Sequence, residues 1–257
     1  MPELPDVEIF RQYAEKNALN QQIEKVTVDE PKIAETNERQ LNQALQNQKL
    51  IRAERLGKYL LLPSTSESIL VMHFGMTGWL EYKHEQKHRH TRASFIFANG
   101  YALHFINPRK LGRISVATGI SSLQQAKKVG YDALAINLEE FQDLTGKKKG
   151  SLKSVLMNQS IVAGIGNIYS DEILFQAGLH PKKQISDLKD YQLVNLFQTM
   201  KEVLHKAIEY NADPENLPPS FIIPRRKEGE TCPVCGNEIK KDQVSGRNFY
   251  YCPNCQK

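Results

Sequence analysis

Four cysteines constrain the end of this chain more than any other feature. Cys232, Cys235, Cys252 and Cys255 follow the spacing C-x2-C-x16-C-x2-C, and the chain has no other cysteine. Two C-x2-C pairs can place four thiolates around one tetrahedral ion and leave no coordination position open. The spacing therefore predicts one structural Zn²⁺; the alternatives are a redox dithiol or four unrelated thiols. Metal binding would supply most of the folding free energy of so small a module.

Length and composition set few other limits. The 257 residues are enough for two domains with cores, and 40% hydrophobic residues argue against disorder. No run approaches the ~18 apolar residues of a membrane span, and the charged first segment is unlike a secretion signal. We therefore expect a cytoplasmic protein. A net charge of +5 favours polyanionic partners, but only weakly.

The N-terminal segment has the pattern of a helix. Val7, Phe10 and Ala14 share one helical face, and Pro5 suits a first helical turn. Glu3 would then place a carboxylate at the positive end of the helix dipole.

Strand patterns follow this helix. The runs IRAERL, KYLLLP and SILVMHF have strand length. In RASFIFANGYALHFI, Asn99 and Gly100 separate two alternating runs and predict a hairpin with a type I′ turn. We interpret residues 1–113 as one domain, a helix plus a β-sandwich.

The rest of the chain changes character twice. Residues 114–150 end in the basic TGKKKG, and we interpret them as a linker. SLKSVLMNQ, NIYSDEILFQAG and the run Leu188–Ile208 have helical spacing, so residues 151–224 are predicted to form a helical domain. Residues 225–257 carry the cysteines. Between the cysteine pairs lies QVSGRNFYY, a hairpin that either inserts into a nucleic acid backbone or packs its aromatic residues on the helices.

Three distant stretches agree with one known family. PELPDVE, GIGNIYSDEILFQAGLHP and the four-cysteine finger resemble the formamidopyrimidine-DNA glycosylase and endonuclease VIII family, and LGKYLL, HFGMTG and NPRKLGR fit as well. The resemblance spans the chain in the correct order. It implies an α+β multidomain fold with an N-terminal helix and β-sandwich, a helix–two-turn–helix domain and a C-terminal zinc finger. DNA lies in the cleft between the lobes of such enzymes.

The resemblance gives the first residues a chemical role. These enzymes remove oxidised bases and then cut the strand at the abasic site. Removal of Met1 would leave Pro2 as a free secondary amine, which is partly neutral at cellular pH and can attack C1′ of the sugar. Glu3 matches the family's general acid–base, and Lys58 matches a lysine that holds the lesion phosphate and assists elimination.

The remaining matches concern DNA binding. Asn167 resembles a phosphate-binding asparagine, although an ordinary helix cap is the alternative. Arg247 matches a finger-tip arginine that grips the phosphates flanking the lesion, and Lys153 matches another backbone contact. In HEQKHRH, a second metal site formed by His84, His88 and His90 is one interpretation. A loop near the DNA backbone, with His90 in contact, is the other.

A flipped base leaves a hole in the duplex, which something must fill. Met76, Arg109 and Leu111 occupy the family's void-filling positions, where a core methionine is the alternative for Met76. Leu111 departs from the phenylalanine common in the formamidopyrimidine branch. Glu172 either supports the site or serves structure alone.

The expected function is that of a bifunctional DNA glycosylase and abasic-site lyase of base excision repair. It would excise ring-opened purines, and excision of 8-oxoguanine or oxidised pyrimidines is left open. The segment NADPENLPPSFIIPRRKEGET argues against 8-oxoguanine, because it is shorter than the loop that covers this base in the branch that excises it. The expected partner is double-stranded DNA with oxidised bases or abasic sites, bound by a monomer in the bacterial nucleoid. The alternative is a non-catalytic damaged-DNA-binding protein. A tautomerase with an N-terminal proline base would need no zinc finger.

Overall fold

The computed structural model describes residues 1–84, 86–146 and 148–257. Glu85 of HEQKHRH and Lys147 of TGKKKG lie outside the described residues. Packing divides the chain into two compact units. The first unit contains residues 1–2 and 6–127, and the second contains residues 3–5 and 128–257.

Strands predominate in the first unit and helices in the second. The helices are α1 (Leu4–Ala18), α2 (Glu38–Leu45), α3 (Ile120–Lys127), α4 (Leu138–Gly146), α5 (Leu152–Leu156), α6 (Asn167–Gln176) and α7 (Asp190–Glu209). The strands are β1 (Ile23–Val28), β2 (Glu54–Leu56), β3 (Tyr59–Pro63), β4 (Ile69–His73), β5 (Trp79–His84), β6 (Thr91–Phe97), β7 (Tyr101–Ile106), β8 (Arg113–Ala117), β9 (Tyr131–Asp132), β10 (Val162–Ala163), β11 (Lys240–Val244) and β12 (Arg247–Tyr251). None of the helices described is long and apolar enough to cross a membrane.

Two antiparallel sheets form the sandwich of the first unit, as predicted. Their strand orders are β1-β6-β7-β5 and β2-β3-β4-β8. Alternate residues of both sheets enter one core; examples are Leu60, Met72, Phe95 and Phe105. The predicted face of α1 packs on this core as well, with Val7 and Ala14 fully buried. The β-sandwich therefore buries one face of each sheet, which is what period-two alternation requires.

The hairpin of β6 and β7 is present, but its predicted turn is wrong. A type I′ turn needs positive φ at both central residues. Here only Gly100 has it, with φ of +83°, and its N–H donates to the Phe97 carbonyl at 3.0 Å. The loop is thus a three-residue connection, Ala98 to Gly100, with the glycine in the left-handed position.

Helices dominate the second unit. Residues from α4, α5, α6 and α7 share one core, and Leu4 belongs to it. The long helix begins at Asp190, two residues after the predicted start at Leu188. The segment 114–150 contains α3, β9 and α4, and Phe141 is fully buried, so this segment contains regular structure that its composition did not predict.

Candidate active site

Glu3 is fully buried against the start of α6. Its Oε2 accepts hydrogen bonds from the N–H groups of Gly166 at 2.7 Å and Tyr169 at 3.2 Å, and its Oε1 accepts from Ile168 at 2.9 Å. The first N–H groups of a helix lack intrahelical partners and carry a partial positive charge. Glu3 therefore satisfies N–H groups at the N-terminus of α6, a helix distant in sequence from its own.

The glycine loop before α6 makes this arrangement possible. The Leu4 N–H donates to the Gly164 carbonyl at 3.0 Å. Gly164 has φ of +113°, and a Cβ at this position would lie 2.5 Å from Cδ1 of Leu4. Any side chain here would push the loop off Leu4, so glycine fits for both conformation and space.

Asn167 occupies the first position of α6 and is half-buried. Its Nδ2 donates to the Asn248 carbonyl of the finger hairpin at 3.1 Å. Its Oδ1 is buried and has no hydrogen-bond partner among the described residues. Because a buried orphan acceptor costs free energy, an incoming group can gain by pairing with this side chain.

Asp171 lies one turn further along α6 and is fully buried. Its Oδ1 accepts from Nζ of Lys153 at 2.7 Å. Its Oδ2 accepts from Nε and Nη2 of Arg226 at 3.0 and 2.7 Å, and from the Tyr250 N–H at 3.2 Å. One carboxylate thus joins α5, the segment after α7 and the finger hairpin.

Burial of Lys153 does not fit the predicted DNA backbone contact. The side chain is fully inaccessible, and its Nζ donates to the Asn167 carbonyl at 3.1 Å, to Ser170 Oγ at 2.7 Å and to Asp171. Burial lowers the pKa of Lys153, and the Asp171 carboxylate opposes that effect. An ammonium with three donors in use has none left for a phosphate, so Lys153 acts on α6 instead.

Glu172 is buried on the opposite side of the same helix turn. Its carboxylate accepts from the N–H groups of Ile222 at 3.2 Å and Ile223 at 2.9 Å, and from Nε2 of Gln176 at 2.8 Å. Burial raises the pKa of Glu172 to about 7. Glu172 therefore holds the segment that leads into the finger, which is a structural role.

The four cysteines lie together, as the spacing predicts. Their Sγ atoms all lie within 4.8 Å of one another. The Cys232–Cys255 and Cys235–Cys252 Sγ distances are 3.8 and 3.4 Å. Zn–S bonds of about 2.3 Å in a tetrahedron require S···S distances of roughly 3.8 Å, so the thiolates fit a zinc ion.

The finger hairpin is short and tightly turned. Strands β11 and β12 pair from Lys240↔Tyr251 to Val244↔Arg247. Ser245 and Gly246 form the turn with φ of +50° and +73°, which is the type I′ pattern. Arg247 follows the turn and is exposed. The hairpin is therefore pinned by the zinc site at one end and presents Arg247 at the other.

The last residue is also tied into the second unit. The His180 N–H donates to the Lys257 carbonyl at 3.0 Å, and the Lys257 N–H donates to the Gly178 carbonyl at 3.1 Å. Nε2 of Gln256 donates to the Leu179 carbonyl at 2.9 Å. These bonds dock the end of the finger onto the segment after α6.

In the first unit, Lys58 lies in the turn between β2 and β3 and is half-buried. Gly57 precedes it with φ of +57°, which suits the first central position of a two-residue hairpin loop.

His73 of β4 pairs with Tyr59 across the sheet. Burial, and to a smaller extent the Lys58 ammonium, lowers the pKa of His73 to about 4. The Gly75 N–H donates to Nδ1 of His73 at 3.3 Å, which agrees with a neutral ring.

Three predicted void-filling residues lie on two turns of the same unit. Met76 lies between β4 and β5, and Arg109 and Leu111 lie between β7 and β8. Met76 is 38% exposed and Leu111 is 45% exposed. Both side chains are therefore exposed rather than packed in the core. The core alternative for Met76 is therefore wrong.

The histidine loop carries no metal cluster among the residues described, which include His84, His88 and His90. His90 is half-buried, and Nη2 of Arg92 lies 3.3 Å from its Nδ1. Desolvation, Arg89 and Arg92 lower the pKa of His90. The neighbouring positive charges of Arg89 and Arg92 favour an anion near His90 over a metal cation.

Three family models match consecutive parts of the chain. The formamidopyrimidine-DNA glycosylase N-terminal domain matches residues 1–114, the H2TH domain of the same enzymes matches residues 129–216, and the zinc finger found in FPG and IleRS matches residues 229–257. A formamidopyrimidine-DNA glycosylase of Heliobacterium modesticaldum is 34% identical over all of both chains. That of Pelotomaculum thermopropionicum is 31% identical over 100% of this chain and 99% of its own. The chain belongs to the formamidopyrimidine-DNA glycosylase family.

Solved structures of this family have the same fold. The Lactococcus lactis glycosylase in complex with DNA containing N7-benzyl-Fapy-dG is 29% identical over 100% of both chains, with a TM-score of 0.90. A complex of the same enzyme with DNA containing an abasic site covers 99% of both chains, with a TM-score of 0.89. The chain is therefore a DNA glycosylase of base excision repair, with the abasic-site lyase activity of its family and one structural zinc in its finger.

Three residues of the site escaped the sequence reasoning. Asp171 adjoins the motif residue Glu172, but its partners lie 18 to 79 positions away in the chain. Arg226 was one cation in a basic segment, and His73 was part of a strand pattern. Helical spacing from Asn167 was the one available signal for Asp171, because residues four apart share a helix face.

Proposed function

We propose that this chain excises damaged bases through the secondary amine of Pro2, with Glu3 as the adjacent general acid–base. The observation that carries the proposal is the position of Glu3, whose carboxylate accepts three backbone N–H groups. That hydrogen bonding holds a carboxylate directly after the amine in sequence. A group fixed in this way can accept and return a proton without reorganising.

The reaction has five steps. The amine of Pro2, freed by removal of Met1, attacks C1′ of the sugar and loses its proton, and the base leaves with the electron pair of the glycosidic bond and gains a proton. The nitrogen electron pair then forms an iminium as the bond from C1′ to the ring oxygen breaks and that oxygen takes a proton. The iminium acidifies C2′, and loss of the C2′ proton expels the 3′ phosphate. Loss of the C4′ proton then expels the 5′ phosphate. Water finally hydrolyses the iminium, which releases the sugar fragment and returns Pro2 as the free amine.

Phosphate binding is proposed for three residues. Lys58 would hold the lesion phosphate from the first unit. Nδ2 of Asn167 donates at present to a backbone carbonyl, and it can exchange that acceptor for a phosphate oxygen. Arg247 is exposed beyond the finger turn and can reach phosphates bidentately. Lys153 would act indirectly, by holding the start of α6.

Base flipping is the proposed role of the two turns of the first unit. Exposed Met76 and Leu111 would enter the space left by the damaged nucleotide, and Arg109 would face the orphaned base. His90 would contact the backbone from the adjacent loop.

The proposed substrates are abasic sites and ring-opened purines in double-stranded DNA. The relatives bound to Fapy-dG and abasic DNA support this assignment. We place 8-oxoguanine among the poorer substrates, because the segment of residues 211–231 is short and Glu172 already engages two of its N–H groups. A monomer acting at the bacterial nucleoid in the cytoplasm completes the proposal; the relatives named above are bacterial.

Borohydride trapping tests the nucleophile. Protein purified with Met1 retained is compared with the same preparation after treatment with methionine aminopeptidase in vitro. We expect covalent trapping on abasic duplex DNA only after Met1 is removed, because acylation blocks the amine. Mass mapping of the trapped peptide should place the sugar on Pro2.

Two outcomes would contradict the proposal. Trapping that survives with Met1 in place would assign the imine to a primary amine, and peptide mapping would then distinguish the α-amine of Met1 from a lysine such as Lys58. DNA binding without trapping or strand cleavage in the processed protein would support the non-catalytic alternative.

A further inference from the structure

Asn107 lies at the start of the turn that carries Arg109 and Leu111, and it is fully buried. Its Oδ1 accepts from the N–H of Leu111 at 3.0 Å and from that of Gly112 at 3.3 Å. Its Nδ2 donates to the Phe74 carbonyl at 2.9 Å. Two donors on one side and a carbonyl on the other fix the orientation of the amide, so all of these polar atoms are satisfied.

This side chain joins two turns that are separate in sequence. Phe74 opens the turn that carries Met76, and its carbonyl also accepts from the Gly78 N–H at 3.0 Å. The N–H of Arg109 lies 3.4 Å from Oγ1 of Thr77, a second and weaker link. The exposed side chains of Met76 and Leu111 thus project from two turns that share one buried amide.

Close backbone packing shows how little freedom the two turns have. Gly75 has φ of +62°, and a Cβ there would lie 2.5 Å from the backbone carbonyl carbon of Leu111. A Cβ at Gly78 or Gly112 would lie 2.6 or 2.4 Å from Nδ2 of Asn107. The Asn107 amide therefore fills a space that only glycines leave open. A side chain at Gly78 or Gly112 would displace it.

Asn107 also reaches the histidine loop through its backbone. Its N–H donates to the His90 carbonyl at 3.0 Å, and its carbonyl accepts from Nε of Arg92 at 3.0 Å. One residue therefore sets the positions of three segments that are proposed to meet DNA.

We propose that Asn107 is a positioning residue that holds Met76 and Leu111 as a single wedge for base flipping. The inference rests on the proposed function, since it needs these two side chains to enter the duplex. The wedge has to displace a stacked nucleotide, and a side chain displaced by about 1 Å can cost up to 10²-fold in rate. Chemistry on a nucleotide that is already unstacked does not need the wedge.

The test compares two substrates with the full-length protein. One is a duplex with a ring-opened guanine and a neighbouring 2-aminopurine, whose fluorescence rises when the stack opens. The other is a single-stranded abasic oligonucleotide, which requires the chemistry but no wedge. The variants are Asn107→Ala, which removes all three side-chain hydrogen bonds, and Asn107→Asp, which keeps the two accepted from Leu111 and Gly112. Asn37→Ala is the control, because it removes the side-chain hydrogen bond of an exposed asparagine that caps α2 in the same unit.

For Asn107→Ala we expect single-turnover excision from the duplex to fall about tenfold, together with the 2-aminopurine signal. Cleavage of the single strand should be unchanged. Asn107→Asp should lie between Asn107→Ala and wild type, and Asn37→Ala should match wild type on both substrates. Asn107→Asp keeps the test valid if Asn107→Ala does not fold.

Equal losses of activity on both substrates would show a merely structural role and overturn the inference. Duplex excision at the wild-type rate in both Asn107→Ala and Asn107→Asp would also overturn it. Met76→Ala and Leu111→Ala separate this inference from the function beneath it. If both excise as fast as wild type, the wedge assignment is wrong and the inference falls with it. If both are slow while Asn107→Ala is not, only the positioning role of Asn107 is overturned.

Discussion

The carboxylate of Asp171 accepts two hydrogen bonds from the guanidinium of Arg226, at 2.7 and 3.0 Å, inside the second unit. Oδ2 of Asp171 accepts both of these bonds, and it also accepts from the Tyr250 N–H of the finger hairpin. Because Asp171 lies one turn after Asn167, this pair ties the finger to the helix that presents the proposed phosphate ligand.

Asp171→Asn should destabilise the second unit by about 3–5 kcal/mol, because it leaves the buried Lys153 and the largely buried Arg226 without a counter-charge. Chemical unfolding measures the loss. Asp242→Asn is the matched control, since Asp242 lies on the finger hairpin and pairs with Lys182 at the protein surface. We expect little change there, and equal losses in both variants would contradict the central role of Asp171.

Zinc removal should act on DNA binding through Arg247. Cys232→Ser should lose the metal and DNA affinity together, because the hairpin is then no longer pinned. Metal analysis and a DNA titration measure the two losses. Arg247→Ala should keep the zinc, bind all DNA sequences more weakly and reduce the salt slope by about one. Unchanged binding in Arg247→Ala would remove the finger tip from the interface.

Stability should depend on pH through Glu172. Its folded-state pKa is about 7, above the ordinary value of 4.5 that applies to the unfolded chain. Between about pH 5 and pH 7 the folded protein keeps a proton that the unfolded chain has released, so the free energy of unfolding falls as pH rises. The full effect is on the order of 3 kcal/mol.

Urea unfolding of wild type and Glu172→Gln at several pH values isolates this effect. The difference in stability, wild type minus variant, should decrease from pH 5 to pH 8 and level off above. A difference that stays constant over this range would show that Glu172 does not titrate there.

Lesion preference follows from the segment after α7. Rejecting guanine while accepting 8-oxoguanine requires polar groups placed on the edges of the base. Here four prolines remove donors, and Glu172 holds the N–H groups of Ile222 and Ile223. Single-turnover excision should therefore be slower for 8-oxoguanine opposite cytosine than for a ring-opened guanine in the same duplex. Equal rates would place discrimination elsewhere in the pocket.

Local signals in the sequence were enough for α1, for the hairpin of β6 and β7, for the long helix α7 and for the zinc site. The cysteine spacing and the face of α1 depend on neighbours in the chain, and both are present in the structure. The turn at Asn99 and Gly100 was misjudged because loop length, as well as residue type, selects the turn.

The environments of charged residues could not be predicted in this way. The N–H groups that donate to Glu3 and the partners of Asp171 come from distant segments, so composition gave no sign of them. Lys153 shows the consequence most clearly. The family resemblance predicted a DNA backbone contact for this lysine, yet its acceptors on α6, 14 to 18 residues later, leave it fully buried.

The hydrogen bonds of Lys257 with Gly178 and His180 have a practical consequence for work on this protein. A bulky group attached at Lys257 would lie two residues from the zinc ligand Cys255 and would crowd both the zinc site and the segment after α6. A group attached to the amine of Pro2 would block the proposed nucleophile. Affinity tags and surface anchors therefore belong on an exposed turn away from these two positions.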